Sequence, residues 1–231
     1  MKKLFLGALA LLASHSASAL DFSSTRIDLN ARQLVGELTI GLPQGAKSQQ
    51  YEATLLSWKV LAGKDVTQAT NELVLIPRRF TLRAGEQKTL RLGLLSPSHL
   101  PQSKEATYRI LVKPLKTSEE GVGVSVGYSL PVFVAPQRSG GPDIFAEIVQ
   151  APSGLPVLRI RNQGISHSVV QGLALVEQNE AFGEGRFYLL ADRYRDVPLP
   201  SGLAAPGCLE IRLKRVNLWE QHTACPAGQR W

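Results

Sequence analysis

This sequence predicts an all-β protein, two immunoglobulin-like β-sandwich domains behind an export signal, and three observations lead there. Apolar residues alternate with polar ones in short runs, and no long stretch has helical periodicity. Turn signals bearing Gly, Pro or Ser separate the runs at regular intervals. The segment Pro136-Gln137-Arg138-Ser139-Gly140-Gly141-Pro142 has no apolar face and divides the runs into two groups.

The first element is an address. Lys2 and Lys3 precede an apolar run over residues 4–13, and Ala17-Ser18-Ala19 supplies the small residues of a cleavage site. A run this short is a secretory signal rather than a bilayer span, which needs about twenty apolar residues. Cleavage is expected before Leu20, so residues 1–19 are set apart from the fold. The mature chain is then exported, and the periplasm is the compartment this pattern suits.

The mature chain is long enough for two domains. Strands are expected over residues 25–29, 34–42, 51–61, 73–77, 89–95, 107–115 and 122–134. In the second of these, Leu34, Gly36, Leu38 and Ile40 share a face. Roughly seven short strands with regular turns is the pattern of an immunoglobulin-like sandwich, placed at residues 20–136. Residues 137–143 read as a hinge. Residues 144–231 read as a smaller sandwich, with strands over 146–150, 156–162, 169–177, 186–191 and 208–216.

Composition excludes several functions. The net charge is +7, but the basic residues are scattered, with no stripe or module for nucleic acid. The charge serves solubility and favours partners bearing carboxylates. Cys208 and Cys225 stand alone, and an oxidising compartment would pair them. His99, His167 and His222 are not at ligand spacing, so no metal is expected. No phosphate-binding loop, nucleophile elbow or carboxylate pair is visible. No enzyme activity, cofactor or small-molecule substrate is therefore expected. Trp58, Trp219 and Trp231 are too dispersed for a carbohydrate platform, and Trp58 is expected in the core.

The most informative segment is 121–130. Val122, Val124, Val126, Tyr128 and Leu130 project to one face, with only Gly and Ser between them. Taken alone, it reads as one more half-buried strand. Its length and its place at a domain's end favour an open sheet edge, which proteins normally blunt with charges. No charge lies between Gly121 and Pro136. Such an edge suits pairing with another chain.

In this region the chain resembles the periplasmic chaperones of chaperone–usher pili. Ser24-Thr25-Arg26-Ile27 is similar to that family's first strand. Leu75-Ile76-Pro77-Arg78-Arg79-Phe80-Thr81-Leu82, Gly85 and Thr89-Leu90-Arg91-Leu92 resemble its signature around the fourth and fifth strands. Leu100-Pro101-Gln102-Ser103-Lys104-Glu105, Tyr108-Arg109-Ile110 and Ser129-Leu130-Pro131-Val132-Phe133-Val134-Ala135-Pro136 follow in the family's order.

The resemblance implies an L-shaped pair of domains that binds pilus subunits, completes their fold with a donated strand, and delivers them to an outer-membrane usher. It implies a donor role for Val122, Val124 and Val126, with Tyr128 and Leu130 as extensions. It also implies a cleft whose basic residues grip the subunit's terminal carboxylate. Arg26 matches the first-strand Arg. Pro131 stands where well-known members carry a Lys, and Ala135 where they carry an Arg of an interdomain salt bridge. These departures resemble the divergent, archaic branch, in which a sixth-strand Arg takes the anchoring role, and Arg109 is the matching position. Arg79 and Lys113 are the fallbacks. Glu105 matches a family acid whose usual partner is missing, so it is given no role. Self-association of the free protein through the open edge is left open. The rival reading is a pilus structural subunit or adhesin, which would usually be a single incomplete sandwich.

Overall fold

A computed structural model describes residues 19–61, 63–115, 126–176, 181–183, 185–200, 207–215 and 218–228. Among the described residues the regular structure is β apart from one short 3₁₀ turn at Pro97–His99. The N-terminal part carries β1 (Asp21–Phe22), β2 (Ile27–Leu29), β3 (Val35–Gly41), β4 (Gln49–Leu61), β5 (Lys64–Ala69), β6 (Val74–Ile76), β7 (Arg79–Leu82), β8 (Gln87–Gly93), β9 (Ala106–Pro114) and β10 (Tyr128–Val134). One sheet has the order β1-β3-β8-β6. The other has the order β2-β10-β9-β4-β5, with β7 also on β4.

Alternation puts the core between these sheets. Leu38 and Ile40 of β3, Leu90 and Leu92 of β8, and Ile110 and Val112 of β9 are almost wholly buried. Each such side chain contributes about 1.5–3 kcal/mol on leaving water. In β4 the phase then shifts. Tyr51, Ala53 and Leu55 face the core, but Trp58, three residues on from Leu55, is buried on the opposite face. In β10, Leu130, Val132 and Val134 face the core, yet Phe133 between them is buried as well. Both strands are covered on their outer face too.

The cover is the C-terminal part. It carries β11 (Ile144–Gln150), β12 (Pro156–Asn162), β13 (Ser168–Leu175), β14 (Ala181–Phe182), β15 (Phe187–Leu189), β16 (Arg193–Pro198), β17 (Leu209–Arg215) and β18 (Leu218–Pro226). The strand order is β14-β13-β17-β18-β11-β12-β16, with β15 also on β13. Its own core gathers Ile148, Leu158, Ile160, Val170, Leu173 and Ile211. A third, small cluster of Trp58, Phe133 and Leu190 joins the two parts. Trp58 therefore packs in the seam and not in the N-terminal sandwich core, as the sequence had suggested.

The linking segment is tied down by its neighbours. Gln137 N–H donates to Pro101 O at 2.8 Å, Gln163 N–H to Asp143 O at 2.7 Å, and Ile165 N–H to Gly141 O at 3.1 Å. Asn162, fully buried, organises this corner. Its Oδ1 accepts from Asp143 and Gly164 N–H, and its Nδ2 donates to Ser166 O and Leu189 O. Gly164 has to be glycine, because a Cβ there would sit 2.3 Å from Gly141 O.

Six strands went unread in the sequence: β1, β5, β7, β14, β16 and β18. β5 is exposed at every position and β16 is largely charged, so neither shows apolar alternation. Two expectations lie outside the described residues. These are the export segment, up to residue 18, and Val122 with Val124.

Candidate functional site

The candidate site is one rung of the β2-β10-β9-β4 sheet and the strand edge beside it. Pro131 of β10 pairs with Arg109 of β9, which pairs with Leu56 of β4. On the other side β10 runs parallel to β2, with Val132 opposite Ile27. Arg26 comes one residue before β2, outside that pairing, while Arg109 sits directly opposite Pro131. Both belong to the face opposite the core, where Trp58 and Phe133 also lie.

The edge follows from the same register. β2 pairs only with Val132, Phe133 and Val134. Among the described residues no strand pairs with Tyr128, Ser129, Leu130 or Pro131 on that side. β10 is thus hydrogen-bonded to β9 along its whole length and open on its other edge over its first half. Pro131 has no N–H to offer a ladder, which suits a strand with one free side.

The predicted donor residues separate here. Val126 precedes β10 and is exposed, at 56%. Tyr128 is half-buried against its own core. Its ring lies 5.1 Å from that of Phe22, and its hydroxyl accepts from Leu20 N–H at 3.2 Å. Leu130 is 6% exposed and belongs to the N-terminal core.

The two arginines sit in different surroundings. Arg26 is about half exposed, and its Nε donates to Asp28 Oδ2 at 2.8 Å. An exposed pair of this kind is worth only about 0–1 kcal/mol, so an incoming carboxylate can displace it. Arg109 is half-buried. Its guanidinium lies 3.9 Å from the centre of the Trp58 ring, and Nη1 donates to Ser129 Oγ at 3.3 Å. Burial pulls its pKa below the ordinary arginine value, while Asp65 and Tyr188 oppose that shift. Among the described residues no carboxylate is within ion-pair distance of Arg109. The fallback residues share a different rung, where Glu52 of β4 lies between Arg79 and Lys113. Arg79 is spent there on an ion pair with Glu52 at 2.8 Å.

Sequence reasoning missed the wall of this cleft. Glu105 has a partner after all. Its Oε2 accepts from His167 N–H at 2.8 Å and lies 2.8 Å from His167 Nδ1. Glu105 N–H also donates to Ile165 O at 2.9 Å. The His167 ring stacks on Phe133 at 3.5 Å and 11°. Lys104 and Asp192 add an ion pair across the same seam at 2.5 Å. No signal in a single sequence links Glu105 to a histidine 62 positions away. Cys208 and Cys225 are bonded, as expected, one step beyond the first β17–β18 pair, Leu209 with Ala224. Among the described residues no three of His, Cys, Asp and Glu lie close enough to hold a metal ion.

The described residues form an all-β fold with a tied seam, a strand edge left open over half its length and cations beside it. The model of the pili and flagellar-assembly chaperones, PapD N-terminal domain, matches residues 19–139, and the chain belongs to that family. The family consists of chaperones, not enzymes, and this sets aside the structural-subunit reading. No curated protein matches the sequence.

Solved structures resemble the fold at low identity. One is the CsuC–CsuE chaperone–tip adhesion subunit pre-assembly complex from archaic chaperone-usher Csu pili of Acinetobacter baumannii. There the TM-score is 0.71 at 17% identity, covering 90% of this chain and 98% of that one. The Salmonella enterica SafA pilin in complex with the SafB chaperone gives 0.64 at 14%, covering 91% and 97%. The E. coli chaperone DraB gives 0.61 at 19%, covering 90% and 97%.

Proposed function

We propose that this chain is a periplasmic chaperone that holds pilus subunits by donor-strand complementation and passes them to an outer-membrane usher. The observation that carries the reading is the edge of β10, free among the described residues from Tyr128 to Pro131 and lying one strand from the half-buried Arg109. A subunit that lacks its last strand exposes an apolar groove. A second chain can be added to the open edge, with main-chain hydrogen bonds giving affinity and alternate side chains filling pockets. The donor face is Val122, Val124 and Val126. Each Val buried in a groove adds about 1.5–3 kcal/mol. Tyr128 and Leu130 are taken up by the chaperone's own core and form the root of the donor strand.

Arg109 and Arg26 anchor the subunit's terminal carboxylate. A guanidinium can grip a carboxylate with two parallel hydrogen bonds, which fixes register as well as adding energy. Arg109 is the stronger of the two, because it is partly desolvated and must displace no acid. The reading extends to the whole chain. Residues 1–19 are a cleaved export signal, residues 20–136 and 144–231 are two immunoglobulin-like domains in an L shape, and 137–143 joins them. Pro131 and Ala135 ally the chain with the archaic branch.

The test is co-expression with a pilus subunit and recovery of the complex from the periplasm. Val124→Asp should abolish co-purification while the chaperone stays folded. A complex that survives this charge refutes the donor assignment.

A further inference from the structure

We infer that Trp58, held by Asp65 and flanked by Tyr188, aims Arg109, and that this aromatic seat lets the cleft distinguish a chain-terminal carboxylate from an amide. The inference rests on the anchor role proposed for Arg109 and goes beyond it by naming what positions the arginine.

The seat begins with the phase shift in β4. It places Trp58 on the outer face, where it is only 2% exposed. The indole Nε1–H donates to Asp65 Oδ1 at 3.1 Å, which fixes the rotation of the ring. Asp65 belongs to β5, the hairpin partner of β4, and is opposite Val60. Tyr188 of β15 meets the indole edge-on at 5.6 Å and 85°. Strands from both parts therefore build the seat, and it is complete only when they are docked.

The geometry suits an anion receptor. Stacking engages the flat face of the Arg109 guanidinium, at 3.9 Å from the ring centre. The N–H donors lie in the plane, so stacking leaves them free. Ser129 Oγ takes one of them, at 3.3 Å. A partly desolvated cation–π contact is stronger than an exposed one. The ordering cost of a long side chain has been met before the ligand arrives. A carboxylate can then accept two parallel N–H bonds. An amide presents one acceptor, and its own N–H group faces donors, so the same pre-aimed fork rejects it. Trp58 is accordingly a positioning residue, acting through Arg109.

The experiment uses the full mature chain and two fluorescein-labelled octapeptides of alternating Val and Thr. One ends in a free carboxylate and the other is amidated. Fluorescence anisotropy gives the ratio of their affinities for each variant, a quantity that general loosening of the fold does not move. Wild type should favour the free acid on the order of tenfold. Arg109→Ala should bring the ratio near one. Trp58→Phe and Asp65→Ala should each lower it severalfold, and Trp58→Leu should match Arg109→Ala. If Trp58→Leu fails to fold, Trp58→Phe and exposed Asp65→Ala carry the test. A ratio near one in wild type, or a preference surviving in Arg109→Ala, overturns the anchor reading. A ratio lost in Arg109→Ala but kept in both Trp58→Phe and Asp65→Ala leaves the anchor standing and overturns the positioning role.

Discussion

At the scale of single residues, neighbours decide what each charge does. Arg26 and Arg109 looked equivalent in the sequence, as two arginines matching two family positions. The structure separates them. Arg26 already has Asp28 beside it in solvent, whereas Arg109 is drawn onto Trp58 and has an uncharged hydroxyl for its hydrogen bond. Removing a charge-assisted bond made in a desolvated place costs about 1.5–3 kcal/mol, against at most about 1 kcal/mol for an exposed pair. Arg109→Ala should therefore weaken subunit capture at least tenfold, and Arg26→Ala by less than about fivefold. Titration of a purified subunit against each variant measures this, and the reverse order would reject the ranking. Glu105 shows the opposite change of status. Nothing near it in the sequence suggested a partner, yet its carboxylate bonds across the seam to His167 of the other part.

At the scale of elements, register does more than composition. The ribbon 122–130 announced itself by alternation, but alternation cannot distinguish a strand paired on both sides from one paired on a single side. That difference comes from where β2 stops. Because β2 meets β10 only from Val132 onward, the first half of β10 keeps a row of backbone groups that no described strand pairs with on that side. Short, polar β5 and β16 escaped notice because their stability comes from pairing with β4 and β12 and not from buried faces of their own. β18 escaped for a related reason, since four polar residues run together through its middle, Glu220 to Thr223, and its partner β17 supplies the apolar positions. The Cys208–Cys225 bond closes this hairpin over a separation of 17 residues. Replacing both cysteines with Ser should lower the stability of the C-terminal part by about 2–4 kcal/mol. Urea unfolding followed at Trp219 would register the loss. An unchanged midpoint would show that the bond adds nothing.

At the scale of the molecule, the seam sets the geometry of the cleft. Trp58, Phe133, Tyr188 and His167 form one aromatic cluster across it, and Glu105 bonds both the backbone and the ring of His167. Glu105→Ala leaves a buried N–H without its acceptor, which costs about 1–3 kcal/mol. Hydrogen exchange at the His167 amide should accelerate accordingly, while amides of the β17–β18 pairing keep their protection. Equal acceleration everywhere would point to global destabilisation and dismiss the idea of a local tie. A tied seam also orders the cleft with Ala135, and no arginine, at the end of β10.

What the sequence by itself determined is periodic and local: the alternating strands, the turns, the divided halves, the paired cysteines and the run of motifs that belongs to a chaperone. Such features follow from side chains and their near neighbours, so they can be read along the chain. Tertiary structure alone decided which face of β4 Trp58 occupies, where β2 ends beside β10, and that Glu105 meets His167. Each depends on groups far apart in the chain brought within a few ångströms, and no spacing rule encodes that distance.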